Sequence, residues 1–188
     1  MIKPPAGSSS LHASVGRLAT GFVEAVDLLP TIFELAMPAG HPSVPRCASD
    51  VLTSRATLLC TDGSSIVPAL RDPTGGLRRA AFSQVPRNAV VEGMQGGKVA
   101  GSLGERYMGY TLRMDGWRYT EYHPFDPAHG VANWTNTVGV ELYRHRVGDE
   151  EMRCSWDYES VNVAGDPTLA GVVAQLAEAL RAGPAVAM

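Results

Sequence analysis

The stretch MGYTLRMDGWRYTEY, residues 108–122, sets two arginines against each other across a turn. Asp115-Gly116 is the residue pair of a two-residue hairpin loop, which puts Met114 opposite Trp117 and Arg113 opposite Arg118. Like charges directly across a strand pair repel. A guanidinium is also a planar fork that holds a carboxylate, sulfate or phosphate through two parallel hydrogen bonds. The pair therefore calls for an anion. Strand alternation places Tyr110, Leu112, Met114, Trp117 and Tyr119 on one face, the composition of a core, and Thr111, Arg113, Arg118, Thr120 and Tyr122 on the other, which is not core-like. Arg113, Arg118 and Tyr122, with the adjoining His123, are the residues expected to touch a substrate or a neighbouring domain. No acidic side chain on the hairpin opposes either arginine, and within this chain Asp149 to Glu151 is the first candidate for a counter-charge.

Other chemistry is sparse. The glycines at 93, 96, 97, 101 and 104 follow neither the phosphate-cradling nor the dinucleotide-binding frame. The histidines at 12, 41, 123, 129 and 145 are scattered, with no cysteine or histidine pair at metal-ligand spacing. TDGSS (61–65) reads as a turn rather than a nucleophile elbow, and GDEE (148–151) as a solvated acidic loop. Asn133-Trp134-Thr135 is an N-glycosylation sequon, which belongs on an exposed loop if the chain enters a secretory pathway. Cys47 and Cys60 are close enough to close a local disulfide loop of about 14 residues, worth on the order of 3 kcal/mol. Spacing alone leaves that bridge and unpaired thiols equally open, and Cys154 stands apart.

The 188 residues suffice for one well-packed domain, and 45% hydrophobic with 19% charged residues is an ordinary globular balance. A formal charge of −3 gives no general attraction to nucleic acid, and no run approaches the roughly 18 to 20 apolar residues of a membrane span, so neither a nucleic-acid partner nor a span is expected. Small anions and carbohydrates fit better. The first fifteen residues lack the apolar stretch of a signal peptide.

The elements that must position these residues are legible in outline. FVEAVD (22–27) is predicted as a short strand running into a helix, with Asp27 as N-cap, Pro30 in the first turn, and Leu28, Ile32, Phe33 and Leu35 as its packing stripe. Residues 41–76 read as a long ordered loop, 78–86 as a strand, and the glycine-rich 92–107 as loop. The hairpin of 108–123 and an alternating strand over 138–145 follow. The end is an amphipathic helix that enters at Asp166-Pro167, carries Leu169, Val172, Val173, Leu176 and Leu180 on one face, and stops at Gly183-Pro184. The expected fold is α+β: a small antiparallel sheet of about four strands packed against the C-terminal helix.

Several segments in order resemble the carboxy-terminal part of sulfatases of the alkaline-phosphatase-like superfamily. They are VEAVDLLPTIFELA (23–36), with Asp-x-x-Pro-Thr opening a helix, GSSIVPAL (63–70), AAFSQVPR (80–87), MGYTLRMDGWRYTEY, VELY (140–143) and WDYESVNVAGDP (156–167). RHRVGDEEMRCS (144–155) looks inserted, and Tyr158 stands where proline is usual. The resemblance implies a disulfide between Cys47 and Cys60 and a glycan on Asn133. It also implies a division into residues 1–76, the distal end of a catalytic domain with its N-terminal helix and disulfide loop, and 77–188, a terminal subdomain.

The same resemblance implies a sulfuric ester hydrolase acting on sulfated carbohydrate, in particular on uronate-containing glycans, located outside the cell, in the periplasm or in the lysosome. In that family a cysteine of Cys-x-Pro-x-Arg becomes the formylglycine nucleophile and calcium holds the sulfate. None of the three cysteines here lies in that motif, so no catalytic residue, metal ligand or cofactor is expected from this chain. Its expected partners are a catalytic domain, absent from this sequence or separately encoded, and a sulfated glycan. The alternative is a non-catalytic carbohydrate- or anion-binding module that uses Arg113 and Arg118 directly.

Overall fold

A computed structural model describes residues 16–19, 21–75, 77–88, 106–145 and 159–183. The chain divides after Arg79 into two compact units.

In the first unit, FVEAVD does not form a strand. Phe22 makes one bridge, its N–H donating to Arg78 O at 3.0 Å, and the chain then curls into a 3₁₀ turn over Ala25–Asp27. Asp27 causes the curl, because its carboxylate accepts the Glu24 N–H at 2.9 Å and draws residues 24–27 into a turn. Helix α1, Leu28–Ala36, follows directly with Pro30 in its first turn. Its buried edge is polar: Thr31 Oγ1 donates to Asp27 O at 2.6 Å and accepts from Ile66 N at 3.0 Å. The predicted apolar stripe is thereby turned outward in part, with Leu28 46% and Ile32 64% exposed.

Asp27 and Arg78 form a buried pair in which Nε and Nη2 reach the carboxylate at 3.2 and 2.7 Å. Burial raises the Asp27 pKa. The hydrogen bonds from Arg78, Glu24 N and Ser64 N outweigh it and hold the group below the ordinary carboxylate range.

Residues 41–76, expected to be loop, contain two short helices, α2 over Val51–Ala56 and α3 over Val67–Arg71. Each has its start signal: Asp50 Oδ1 accepts Thr53 N at 2.7 Å, and Pro68 sits in the first turn of α3. Cys47 and Cys60 are joined by a disulfide, their Cα atoms 4.8 Å apart. The adjacent backbone pairs, Thr61 N to Pro45 O at 2.9 Å and Cys47 N to Thr61 O at 3.2 Å, keep the two ends of this loop together.

The second unit is an antiparallel sheet of β1 (Ala80–Asn88), β2 (Arg106–Met114), β3 (Gly116–Asp126), β4 (Val131–Ala132) and β5 (Gly139–His145). There are five strands rather than about four, because the two-residue β4 adds to the strands anticipated. The order runs β1-β2-β3, and the far edge of β3 is shared by β4 and β5. The glycine-rich segment lies outside the described residues apart from its last two, which begin β2. The hairpin register is as expected, Arg113 opposite Arg118 and Met114 opposite Trp117, with Gly116 at φ +78°.

Helix α4, Ala170–Ala182, is entered by a 3₁₀ turn whose Asp166 cap accepts Thr168 N at 2.9 Å, and it stops at Gly183 with φ +72°. Leu176 and Leu180 join Ala80, Leu112, Tyr119 and Leu142 in one apolar core, with Tyr110, Met114, Trp117, Leu169, Val172 and Val173 packed around it. Asn162 ties the chain before α4 to β5, accepting Leu142 N at 2.9 Å and donating to Val140 O at 3.0 Å.

Candidate functional site

The hairpin brings Arg113, Arg118 and Tyr122 onto one face of the sheet and turns His123 to the other. The outer face is more occluded than its sequence implies. Thr111 and Thr120 are 6% and 1% exposed and hydrogen-bond each other through their hydroxyls at 2.8 Å.

The anion that Arg118 faces belongs to the protein itself. Its Nη1 donates to Glu159 Oε2, and its guanidinium lies 6.0 Å from the Tyr143 ring. Glu159 also accepts from His145 Nε2 at 2.7 Å. A carboxylate only accepts, so that nitrogen carries a hydrogen. Burial first, and then the charges of Arg113 and Arg118, push His145 down to about 4. At neutral pH the contact is thus a neutral imidazole donating to a carboxylate rather than an ion pair. Arg113 donates to the carbonyls of Met114 and Trp117, the latter at 3.1 Å, and so braces the turn. Asp149 to Glu151, the candidate counter-charge within this chain, lie outside the described residues, as do Cys154 and Tyr158. Glu159 holds the position instead.

On the inner face an unforeseen network is buried beneath an aromatic cluster. Glu121, 1% exposed, accepts the Tyr119 hydroxyl at 2.7 Å, faces His123 Nε2 at 2.8 Å, and receives Arg181 Nη2 of α4 at 3.1 and 3.2 Å. Burial and the adjacent Glu121 carboxylate push the Tyr119 hydroxyl well above the ordinary phenol range, so it stays a donor. His123, with no exposed surface, has its Nδ1 3.2 Å from the carbonyls of both Asn133 and Asn136. Carbonyls only accept, so these contacts need a hydrogen on Nδ1. Trp134 lies 4.6 Å from the rings of both Tyr110 and His123. Asn133, the sequon residue, is exposed, and its Oδ1 accepts Thr135 N at 3.2 Å and Thr135 Oγ1 at 2.7 Å.

Sequence reasoning passed over both Glu121 and Glu159. Glu121 and His123 continue the inward alternation of Trp117 and Tyr119, which was the signal available. Glu159 lies in the WDYESVNVAGDP segment, but its pairing had no local signal, being 41 residues from Arg118.

Neither face assembles a nucleophile with a base. Among the described residues no three histidine, cysteine, aspartate or glutamate side chains come together to hold a metal. The acidic groups buried among the described residues, Asp27 and Glu121, are occupied by arginines. These residues do not fit a calcium site. Among the described residues no helix is long and apolar enough to cross a membrane.

No family model matches the chain. It is similar to iduronate 2-sulfatase of Mus musculus, 32% identical over 151 residues that cover 75% of this chain and 26% of that protein. Iduronate 2-sulfatase of Homo sapiens is 32% identical over 149 residues, covering 74% and 26% respectively. The chain thus spans about a quarter of the length of the curated relatives it matches.

Proposed function

Proceeding from this chain's relationship to the sulfatases, we propose that it is the carboxy-terminal part of a sulfuric ester hydrolase that acts on sulfated carbohydrate, as the name of its relatives indicates for a uronate sugar. The observation that carries the reading is the likeness over three quarters of this chain, which is matched to only about a quarter of each relative. The sheet and α4 form a scaffold without a nucleophile of their own, as the terminal part of such an enzyme would. The formylglycine cysteine and the calcium ligands belong to a catalytic half encoded elsewhere on the same transcript or on a second polypeptide. In the bound state that ion would polarise the sulfate, and no step of that chemistry uses a residue described above.

In this reading Arg113, Arg118 and Tyr122 form the face offered to the catalytic half, with the Glu159 carboxylate holding Arg118 in place. A direct contact with a sulfated glycan would require Arg118 to leave Glu159. The disulfide and the sequon at Asn133 support a route through an oxidising compartment to the cell exterior, periplasm or lysosome.

Isolation of the native protein from its own cells, followed by peptide mass spectrometry, tests the assignment. The expected result is a formylglycine-bearing Cys-x-Pro-x-Arg peptide in the same polypeptide or in a stably bound partner. Recovery of a lone, folded monomer of this chain would overturn it.

A further inference from the structure

Beside the sequon, on the sheet unit, lies a cleft of about 360 Å³. Pro124 and Phe125 at the end of β3 and Val131 of β4 provide its apolar lining, Arg106 and Asp126 its charges, and Asn133 forms part of its wall. That volume is at the small end of the roughly 300–1,000 Å³ of ligand clefts and fits a sugar residue or two.

We propose that this cleft seats the first sugars of a glycan carried by Asn133, an inference that rests on the sequon being used. Three observations converge on it. The attachment point is held rigidly against the cleft: Asn133 N donates to Pro124 O at 2.8 Å, and Asn133 O lies 3.2 Å from His123 Nδ1. The side-chain amide is oriented by its own turn, with Oδ1 taken by Thr135 and Nδ2 left without a hydrogen bond among the described residues.

The lining also has the chemistry of a pyranose. Such a ring presents a C–H face that suits Phe125, Pro124 and Val131, and an equatorial rim of hydroxyls and N-acetyl groups that suits the Arg106 guanidinium, the Asp126 carboxylate being already bonded to Ala128 N and His129 Nδ1. Val131 is 57% exposed, an apolar side chain that a sugar ring would cover. Attachment joins Asn133 Nδ2 to the anomeric carbon of a lipid-pyrophosphate-linked oligosaccharide. The amide loses one proton, the lipid pyrophosphate leaves, and no oxidation state changes.

The test expresses the full chain in a secretory eukaryotic host that adds high-mannose glycans. Peptide mass spectrometry measures occupancy at Asn133. An endoglycosidase that cuts between the two core N-acetylglucosamines then trims the native protein, the heat-denatured protein and the variants Val131→Ser and Arg106→Ala. Both variants alter exposed side chains, and their thermal melts check that they fold. The expected result is an occupied Asn133 whose glycan on the native protein is trimmed at least about tenfold more slowly than on Val131→Ser or on denatured chain. Arg106→Ala is expected to lie between. An occupied site trimmed at one rate on native, variant and denatured chains overturns the cleft while leaving glycosylation intact. An unoccupied Asn133 overturns both. A free high-mannose oligosaccharide that shifts the thermal melt of the Asn133→Gln protein would assign the cleft to an external glycan instead.

Discussion

The two units of the chain are held together by different means. The sheet unit closes over a core in which Leu142, Leu112 and Tyr119 are 0–1% exposed and α4 contributes Leu176 and Leu180. Among its described residues the first unit buries a smaller apolar set, Val44, Ile66, Val67 and Ala69, and adds a disulfide, the Asp27–Arg78 pair and the Thr31 bonds, while Val23, Val26, Leu28, Leu29 and Ile32 remain 44–64% exposed. The sheet unit rests mainly on its hydrophobic core. The first unit shares the load with covalent and polar links and shows apolar surface of the kind that marks an interface.

The contrast fails first if the sheet core tolerates truncation. Leu142→Ala should destabilise the sheet unit by about 2–5 kcal/mol. Glu121→Ala should cost about 1–3 kcal/mol, because the buried Tyr119 hydroxyl and His123 Nε2 lose their partner. Amide exchange in β2, β3 and β5 reads both losses, which should be absent from residues 22–75.

Acid should act next, through His145. Its folded value of about 4 lies below the ordinary histidine value of 6.5, so the unfolded chain binds the extra proton. Stability is therefore fully present above pH 6.5 and lost as pH falls toward 4, by on the order of 3 kcal/mol. His145→Gln should flatten that slope in denaturant titrations at stepped pH. Asp27 adds a loss at lower pH, since a carboxylate held below its ordinary range stabilises only while ionised.

Reducing Cys47–Cys60 should cost about 3 kcal/mol. Exchange should rise in residues 44–67 and stay unchanged in the sheet, a distinction that sharpens the comparison between units. The smallest effect should come from Ile32→Ser, within about 0.5 kcal/mol in melting. Its signature lies in self-association measured by sedimentation, which should fall if the α1 surface is a sticky interface.

The hairpin register was readable because Asp115-Gly116 specifies a turn and the period of two then determines every pair. The same holds for α4, where the cap, the apolar spacing and the terminal glycine agree. The reading failed where a side chain overrides local pattern. Asp27 looked like a helix cap and instead gathers Glu24, Ser64 and Arg78, which bends the supposed strand into a turn. Short helices α2 and α3 were hidden by the proline and glycine content around them, although Asp50 and Pro68 announced their starts. At the site, Arg113 and Arg118 were found from type and spacing, but Glu159 reaches Arg118 only through the tertiary fold.

The functional account is tested most directly by assaying the purified, folded chain on a chromogenic sulfate ester with calcium added. No hydrolysis above the buffer rate is the expected result, because the chain provides neither the formylglycine motif nor, among its described residues, a metal site. Calcium-dependent turnover by this chain alone would contradict it.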